Sequence, residues 1–426
     1  MKKGLLAVSP LLVFLVVYLI SSIVAGDFYR VPVSAAFLVA CMYAVLIAKG
    51  GIRKRLDTFS RGAGHPDVLL MIWIFILAGA FAGTARDIGS VDATVSAALH
   101  VIPPQMLFAG LFLTACFISM AVGTSVGTIV ALAPIGAGIA GQCDVPQAYM
   151  AAIIVGGAFF GDNLSFISDT TIAATRAAGC EMRDKFRTNI VIILPAVVIV
   201  TVLYLIQGHE LAAGVQHGAI SWVKLVPYLL VIALALTGIN VTAVLAVGIV
   251  TNASIGFICG DFSWVGWLES AGRGIAGMSD LIIVTLLAGG LLEMIRTAGG
   301  LDWITSGLSR VARGRRGSQF CIAALVSLAN VCTANNTIAI ITTGGIAKDI
   351  ADRFGVDPRK TASLLDTFSC LVQGMLPYGA QLLMAASLTG LAPTDIIPFL
   401  YYPFIMGACA IVSIIFNYPH GKMLSL

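Results

Sequence analysis

The chain has 426 residues, 58% of them hydrophobic and 11% charged, with a formal net charge of +4. Soluble domains hold about 25% charged residues, so this composition excludes an ordinary soluble globular protein. Long apolar stretches in place of short alternating strands exclude a β-barrel.

Nine cysteines are scattered with no CxxC pair and no histidine cluster, which reads as small buried residues, not metal ligands or disulfides. The chain opens Met-Lys-Lys before an apolar run too long for a signal-peptide core, so the run reads as a retained first crossing. Predicted crossings lie at 6–26, 31–48 and 68–86, then a broken one at 146–175, then 189–207. A second set follows at 224–239, 241–258 and 279–296, a broken one at 361–388, and 397–418. Two further apolar stretches, 105–140 and 318–347, are too long for one crossing at 1.5 Å per residue. Each has a polar interruption near its middle, at 124–128 and 333–337, and reads as a re-entrant hairpin with that motif at its tip.

Charge tests this scheme. With the N-terminus inside, 21 of the 25 Lys and Arg residues fall on the inner side, and only Arg30, Arg86, Lys224 and Arg273 fall outside. The positive-inside rule favours that split, and topology accounts for the basic runs without a nucleic-acid partner. Both termini are then cytoplasmic, in a cell membrane.

The halves are related. Leu77-Ala78-Gly79 matches Leu287-Ala288-Gly289, and Arg86, Gly89 and Asp92 match Arg296, Gly299 and Asp302, all at an offset of 210. Thr124, Thr128 and Ile129 match Thr333, Thr337 and Ile338 at an offset of 209, and Pro146 pairs with Pro358. Five crossings per half make the second copy inverted. The predicted fold is an all-α polytopic membrane protein of two inverted repeats of five transmembrane helices. Each repeat has one re-entrant hairpin and one broken helix. The repeats are 1–207 and 224–426, joined by an external linker, 208–223. Inverted repeats with interrupted helices are the signature of secondary transporters.

Residues 161–171 are the most polar stretch at membrane depth. Asp162, Asn163, Ser165, Ser168, Asp169, Thr170 and Thr171 fall within ten positions. A carboxylate at the bilayer centre costs about 2.5–3.5 kcal/mol on insertion scales. Carboxylate, hydroxyl and amide oxygens together suit a small hard cation or a proton. Asp162 and Asp169 are therefore candidate ion or proton ligands, with helix capping a second role open to Asp169. The tips add Thr124, Ser125 and Thr128 in one half and Asn335, Asn336 and Thr337 in the other, as ion ligands or as interhelical hydrogen-bonding groups. Gln373, Tyr378 and Gln381 lie on the second broken helix, which has no acid at the corresponding place, and they stand between contact with an organic substrate, completion of the ion shell, and packing. Glu293 is an intramembrane acid by position, and so a candidate on the substrate or proton path, or a protonated acid bonded to a neighbouring helix. Asp366 reads as closer to the inner face and solvated.

The pattern Gly161-Asp162-x-x-Ser165-x-x-Ser168-Asp169-Thr170-Thr171 resembles the signature of the NhaC-type sodium/proton antiporters. Asn163 and Phe166 stand where that family usually has a basic residue and a proline. The resemblance implies a secondary transporter that exchanges Na⁺ for H⁺ by an elevator-like alternating access. Hairpins and broken helices would move, and tip clusters would hold sodium and substrate. Relatives also move organic acids or amino acids, so cation-coupled exchange or symport of such a solute is the alternative. The expected partners are a small cation, a small organic solute in the alternative, the bilayer and a second copy in a homodimer. No cofactor beyond the transported Na⁺ and H⁺ is expected, and no enzyme activity, because no nucleophile–base pair or metal spacing appears in the membrane.

Overall fold

The computed structural model describes residues 2–25, 32–165, 168–209, 221–237, 239–309 and 313–419. Arg30, Phe166, Arg310, Lys422 and most of the expected linker, 210–220, lie outside the described residues. The described residues are helical nearly throughout. The first half comprises α1 (Lys2–Ala25), α2 (Val33–Ile47), α3 (Ile52–Ala63), α4 (Pro66–Asp87), α5 (Ser90–Val101), α6 (Leu107–Val122), α7 (Ser125–Cys143), α8 (Gln147–Leu164), α9 (Asp169–Ala178) and α10 (Met182–Gly208). The second comprises α11 (Trp222–Leu236), α12 (Val241–Cys259), α13 (Trp264–Gly277), α14 (Ser279–Thr297), α15 (Gly300–Ser309), α16 (Gly314–Thr333), α17 (Asn336–Phe354), α18 (Pro358–Met375), α19 (Ala380–Thr389), α20 (Pro393–Ile396) and α21 (Tyr401–Ile415).

Among the described residues, six stretches are long and apolar enough to cross a membrane: α4, 104–122, α7, α8 taken together with α9, α10 and α12. Two bent pairs, α13 with α14 at 43° and 358–389 with 393–399 at 100°, raise the number to eight. This is a multi-pass membrane protein. The expected crossings at 31–48, 224–239 and 397–418 appear as 15-residue helices, α2, α11 and α21. At 1.5 Å per residue each is about 22 Å long, short of the roughly 30 Å of a hydrocarbon core. Stretches 105–140 and 318–347 each hold a helix pair joined by a two-residue turn, at Gly123-Thr124 and Ala334-Asn335, and both arms of the first pair are long and apolar enough to cross a membrane. The arms of the first pair have 16 and 19 residues.

The order of elements in α1–α10 recurs in α11–α19 and α21, with the short α20 added, and so do left-handed residues at or near the helix ends. Gly50 and Gly89 recur as Gly260 and Gly299 at an offset of 210; Gly123, Asp144 and Gly179 recur as Ala334, Gly355 and Gly390 at 211. The offset of 209 read from the threonines is therefore not the structural one. The extended residues opening α7 and α17 are Thr124 (φ −144°) and Asn335 (φ −145°), so Ser125 corresponds to Asn336. By the same offset Gln373 corresponds to Asp162.

Two amphipathic helices, α3 and α13, lie between the expected crossings. In α3, Ile52, Leu56 and Phe59 recur at i, i+4 and i+7 among Arg53, Lys54, Arg55 and Arg61, a pattern of one apolar face. The halves exchange these helices, with α3 packed on α14 and α13 on α4. Both crossings use bare backbone. A Cβ built on Gly62 would fall 2.3 Å from the Gly289 carbonyl oxygen, and one on Gly274 would fall 2.0 Å from that of Gly79. The Gly79/Gly289 match of the sequence repeat thus marks one packing solution used twice.

Gly274→Ala should lower the thermal unfolding temperature of the purified protein, by a destabilisation of about 1–3 kcal/mol typical of overpacking. Gly272→Ala, on the same helix with open space around it, should leave it within error of the parent. Equal melting of the two variants would mean the α4–α13 crossing is not tightly packed.

Candidate functional site

Helix α8 is buried along nearly its whole length and ends at Leu164, with Ser165 extended (φ −69°, ψ 141°). The chain turns helical again at Asp169, capped by Ser168, whose Oγ accepts from the Thr171 amide at 3.2 Å. Capping thus falls to Ser168, and the exposed Asp169 side chain, at the first position of α9, faces a cleft. The carbonyls freed by the break find donors nearby. The Asp162 carbonyl accepts from Ser168 Oγ at 2.9 Å and Thr170 Oγ1 at 2.8 Å. The Asn163 carbonyl accepts from Lys185 Nζ at 2.6 Å and Asn189 Nδ2 at 3.0 Å.

The Asp162 side chain is 5% exposed. Its Oδ1 accepts from the Ser125 amide at 3.0 Å and its Oδ2 from Ser125 Oγ at 2.6 Å. Ser125 is the first residue of α7, so a helix N-terminus, the positive end of its dipole, points at this carboxylate. The contact continues through the other half. Gln381 Nε2 donates to Ser125 Oγ at 3.0 Å, and Gln373 Nε2 donates to Gln381 Oε1 at 2.9 Å and to the Ala334 carbonyl at 3.0 Å. One polar chain therefore joins both broken helices, the first residue of α7 and the turn at Ala334.

A cavity of about 770 Å³ opens beside this chain. Thr124, Ser125, Asp162, Asp169, Thr170, Asn335, Asn336, Thr337, Gln373 and Gln381 line it, and it reaches Asp67 and Arg176 at helix ends. Ten of the sequence-derived candidates thus meet at one cleft. The others do not line it. Asn163 and Ser165 are buried in the break, with Asn163 Nδ2 donating to the Phe159 carbonyl at 3.2 Å. Ser168 holds the α9 cap, and Thr128 donates to the Thr124 carbonyl at 3.1 Å. Tyr378 donates to the Val331 carbonyl at 2.8 Å and packs its ring on Phe14 and Phe37. Glu293, read as deep in a crossing, lies against Gly62 of α3 with its side chain 25% exposed, 3.7 Å from Arg296.

Three residues with no place in the sequence reading of the site stand directly behind the break. Lys185, counted there as a topology charge, is 1% exposed and pairs with Asp366 at 2.6 Å. Asp366, read as solvated, is fully buried because α18 packs against α9 and α10. Asn189 Nδ2 also donates to Asp366 Oδ2, at 3.1 Å. The spacing of Lys185 and Asn189, four apart and so on one helical face, was the available signal.

A family model described as the Na⁺/H⁺ antiporter family matches residues 4–209 and 212–419. The chain is similar to the malate-2H⁺/Na⁺-lactate antiporter of Bacillus subtilis, 26% identical over 431 residues, covering 90% of this chain and 89% of that one. It is also similar to the Na⁺/H⁺ antiporter NhaC of the same organism, 26% identical over 390 residues, covering 82% and 83%. Among solved structures it resembles the YdaH transporter of Alcanivorax borkumensis, with a TM-score of 0.45 and 13% identity over 91% of this chain and 99% of that one.

Ser125→Ala removes a buried donor to a carboxylate and should destabilise the protein by about 1.5–3 kcal/mol. Glu293→Gln breaks only a partly exposed pair and should change stability by less than about 1 kcal/mol. Thermal unfolding of both variants at neutral pH checks the contrast, and a reversed order would displace Ser125 from the centre of the site.

Proposed function

The chain belongs to the Na⁺/H⁺ antiporter family, and on that premise we propose that it exchanges Na⁺ for H⁺ across the cell membrane. In this reading the Asp162 carboxylate is the group that the two ions occupy in turn. The supporting observation is its pairing. Among the described residues Asp162 has no ion-pair partner, whereas the other acid buried at the break, Asp366, has Lys185. An ionised carboxylate attracts Na⁺, and a proton removes that attraction, so the two ions compete at one place. Ser125 Oγ and the Thr124 and Asn335 side chains are oxygens within the same cleft. Gln373 Oε1 is buried without a hydrogen-bond partner among the described residues and offers one more. Asp169, exposed in the cleft, is the entry-side acid.

Exchange follows if the site crosses readily when loaded and poorly when empty and charged. The two turns, as re-entrant tips, and the two broken helices would shift together against α4, α14 and the helices packed on them, in inverted repeats. The cleft reaches Asp67 and Arg176, on the side that the charge bias assigns to the cytoplasm, which corresponds to an inward-facing state.

A second reading has an observation of its own. About 770 Å³ is within the range of small-molecule pockets, about 300–1,000 Å³, and far exceeds one cation. The N-terminal ends of α7, α9, α17 and α19 border it, together with Arg176, and helix N-termini favour anions. An organic carboxylate moving with or against the cation would fit, in keeping with the malate and lactate named for one relative.

Asp162→Asn, in proteoliposomes with an imposed Na⁺ gradient, should abolish Na⁺-driven H⁺ movement while the protein stays monodisperse. Asp162→Glu should retain partial exchange with altered apparent Na⁺ affinity. Near-normal exchange by Asp162→Asn would move the coupling group to Asp169. Uptake of labelled malate or lactate by the parent would favour the second reading.

Topology is tested separately. Single cysteines replacing Arg183 and Arg316, both exposed, should label from the cytoplasmic side alone, and one replacing the exposed Ser263 from the outside alone. External labelling at position 316 would break the inverted-repeat scheme.

A further inference from the structure

Behind the break, the ammonium of Lys185 has three oxygens around it. Asp366 Oδ2 lies at 2.6 Å, Thr171 Oγ1 at 2.7 Å and the Asn163 carbonyl at 2.6 Å. One carboxylate, one hydroxyl and one backbone carbonyl form a donor set suited to a hard monovalent cation as much as to an ammonium. Each of the three N–H groups has one acceptor. We propose that Lys185 is a tethered cation, its ammonium filling an oxygen cage made by Asp366, Thr171 and the Asn163 carbonyl that would otherwise take up a free Na⁺.

The cage has support independent of the lysine. Asn189 Nδ2 bridges two of its oxygens, at 3.0 Å to the Asn163 carbonyl and 3.1 Å to Asp366 Oδ2. Thr171 is fixed at the first turn of α9, where its amide and hydroxyl both meet Ser168 Oγ. Asn189, Thr171 and Asp366 are 0–1% exposed, so the oxygens cannot turn to solvent if the ammonium is withdrawn. An ordinary buried ion pair that loses its cation leaves a stranded carboxylate and a large loss of stability. A cage of this composition has another course, which is to bind a cation from solution. Lys185 then sets how many free cations the protein binds, because the Asp366 site is filled by the chain itself.

The test removes the transport site first, so that its outcome does not depend on the role assigned to Asp162. In an Asp162→Asn background, Lys185→Met is purified in Na⁺, and its melting is compared in Na⁺ and in choline. The expected result is a Na⁺-dependent rise in melting temperature that saturates with concentration and exceeds that of Asp162→Asn alone, with one additional radioactive Na⁺ bound per chain. Adding Asp366→Asn should remove both effects. The proposal is overturned if Lys185→Met melts alike in the two salts, if it cannot be recovered folded in Na⁺, or if the effects survive Asp366→Asn.

Discussion

Breaking a helix inside a membrane protein frees backbone carbonyls where no water can reach them, and each must find a donor. Here the break after Leu164 frees the carbonyls of Asp162 and Asn163, and the surrounding structure is arranged to satisfy them. Ser168 and Thr170 serve the first, and Lys185 and Asn189 serve the second. The lysine in turn requires a buried counter-charge, which brings Asp366 and α18 against α9 and α10. A local backbone problem in the first half thus recruits a helix of the second.

The halves share a backbone plan but differ in chemistry. At equivalent positions the first half has Asp162 and the second Gln373, and both reach an opening residue or turn of a helix pair: Asp162 meets the Ser125 amide, and Gln373 meets the Ala334 carbonyl. A carboxylate accepts and an amide nitrogen donates, so the helix N-terminus suits the acid and the turn carbonyl suits the amide. Ala334 itself is in the left-handed region, φ 50°, where Gly123 stands in the first half. A residue with a Cβ costs roughly 1–2 kcal/mol there, offset by a carbonyl aimed at Gln373.

Much of this site was legible in the sequence because its signals are local. Gly161-Asp162 with Ser168 and Asp169 announces a break and a restart, and the polar interruptions at 124–128 and 333–337 announce the turns. Their meeting follows from the repeat. Lys185 was illegible because it sits between Arg183 and Arg187 and looks like one more topogenic charge, while its partner Asp366 lies in the other half of the chain. No local pattern reports a pairing of that range. Glu293 and Tyr378 lie off the cleft for the opposite reason. Depth along a helix says nothing about which way a side chain faces, and these two face α3 and the rings of Phe14 and Phe37. Helix α3 escapes a hydropathy reading because it is short and charged, and α13 because its 14 residues are too few to span a membrane alone, although the spacing of Ile52, Leu56 and Phe59 is there to be counted.

The Lys185–Asp366 pair also has an electrical meaning. An ammonium and a carboxylate 2.6 Å apart are together neutral, so displacing the pair through a membrane potential requires almost no work. A lone charge crossing the full potential exchanges about 2.3 kcal/mol with it for every 100 mV. The voltage sensitivity of such a protein therefore counts its unpaired charges, not its acidic residues. With Asp366 cancelled from within, the groups at the break left for the field to act on are Asp162 and Asp169, together with whatever ions they hold.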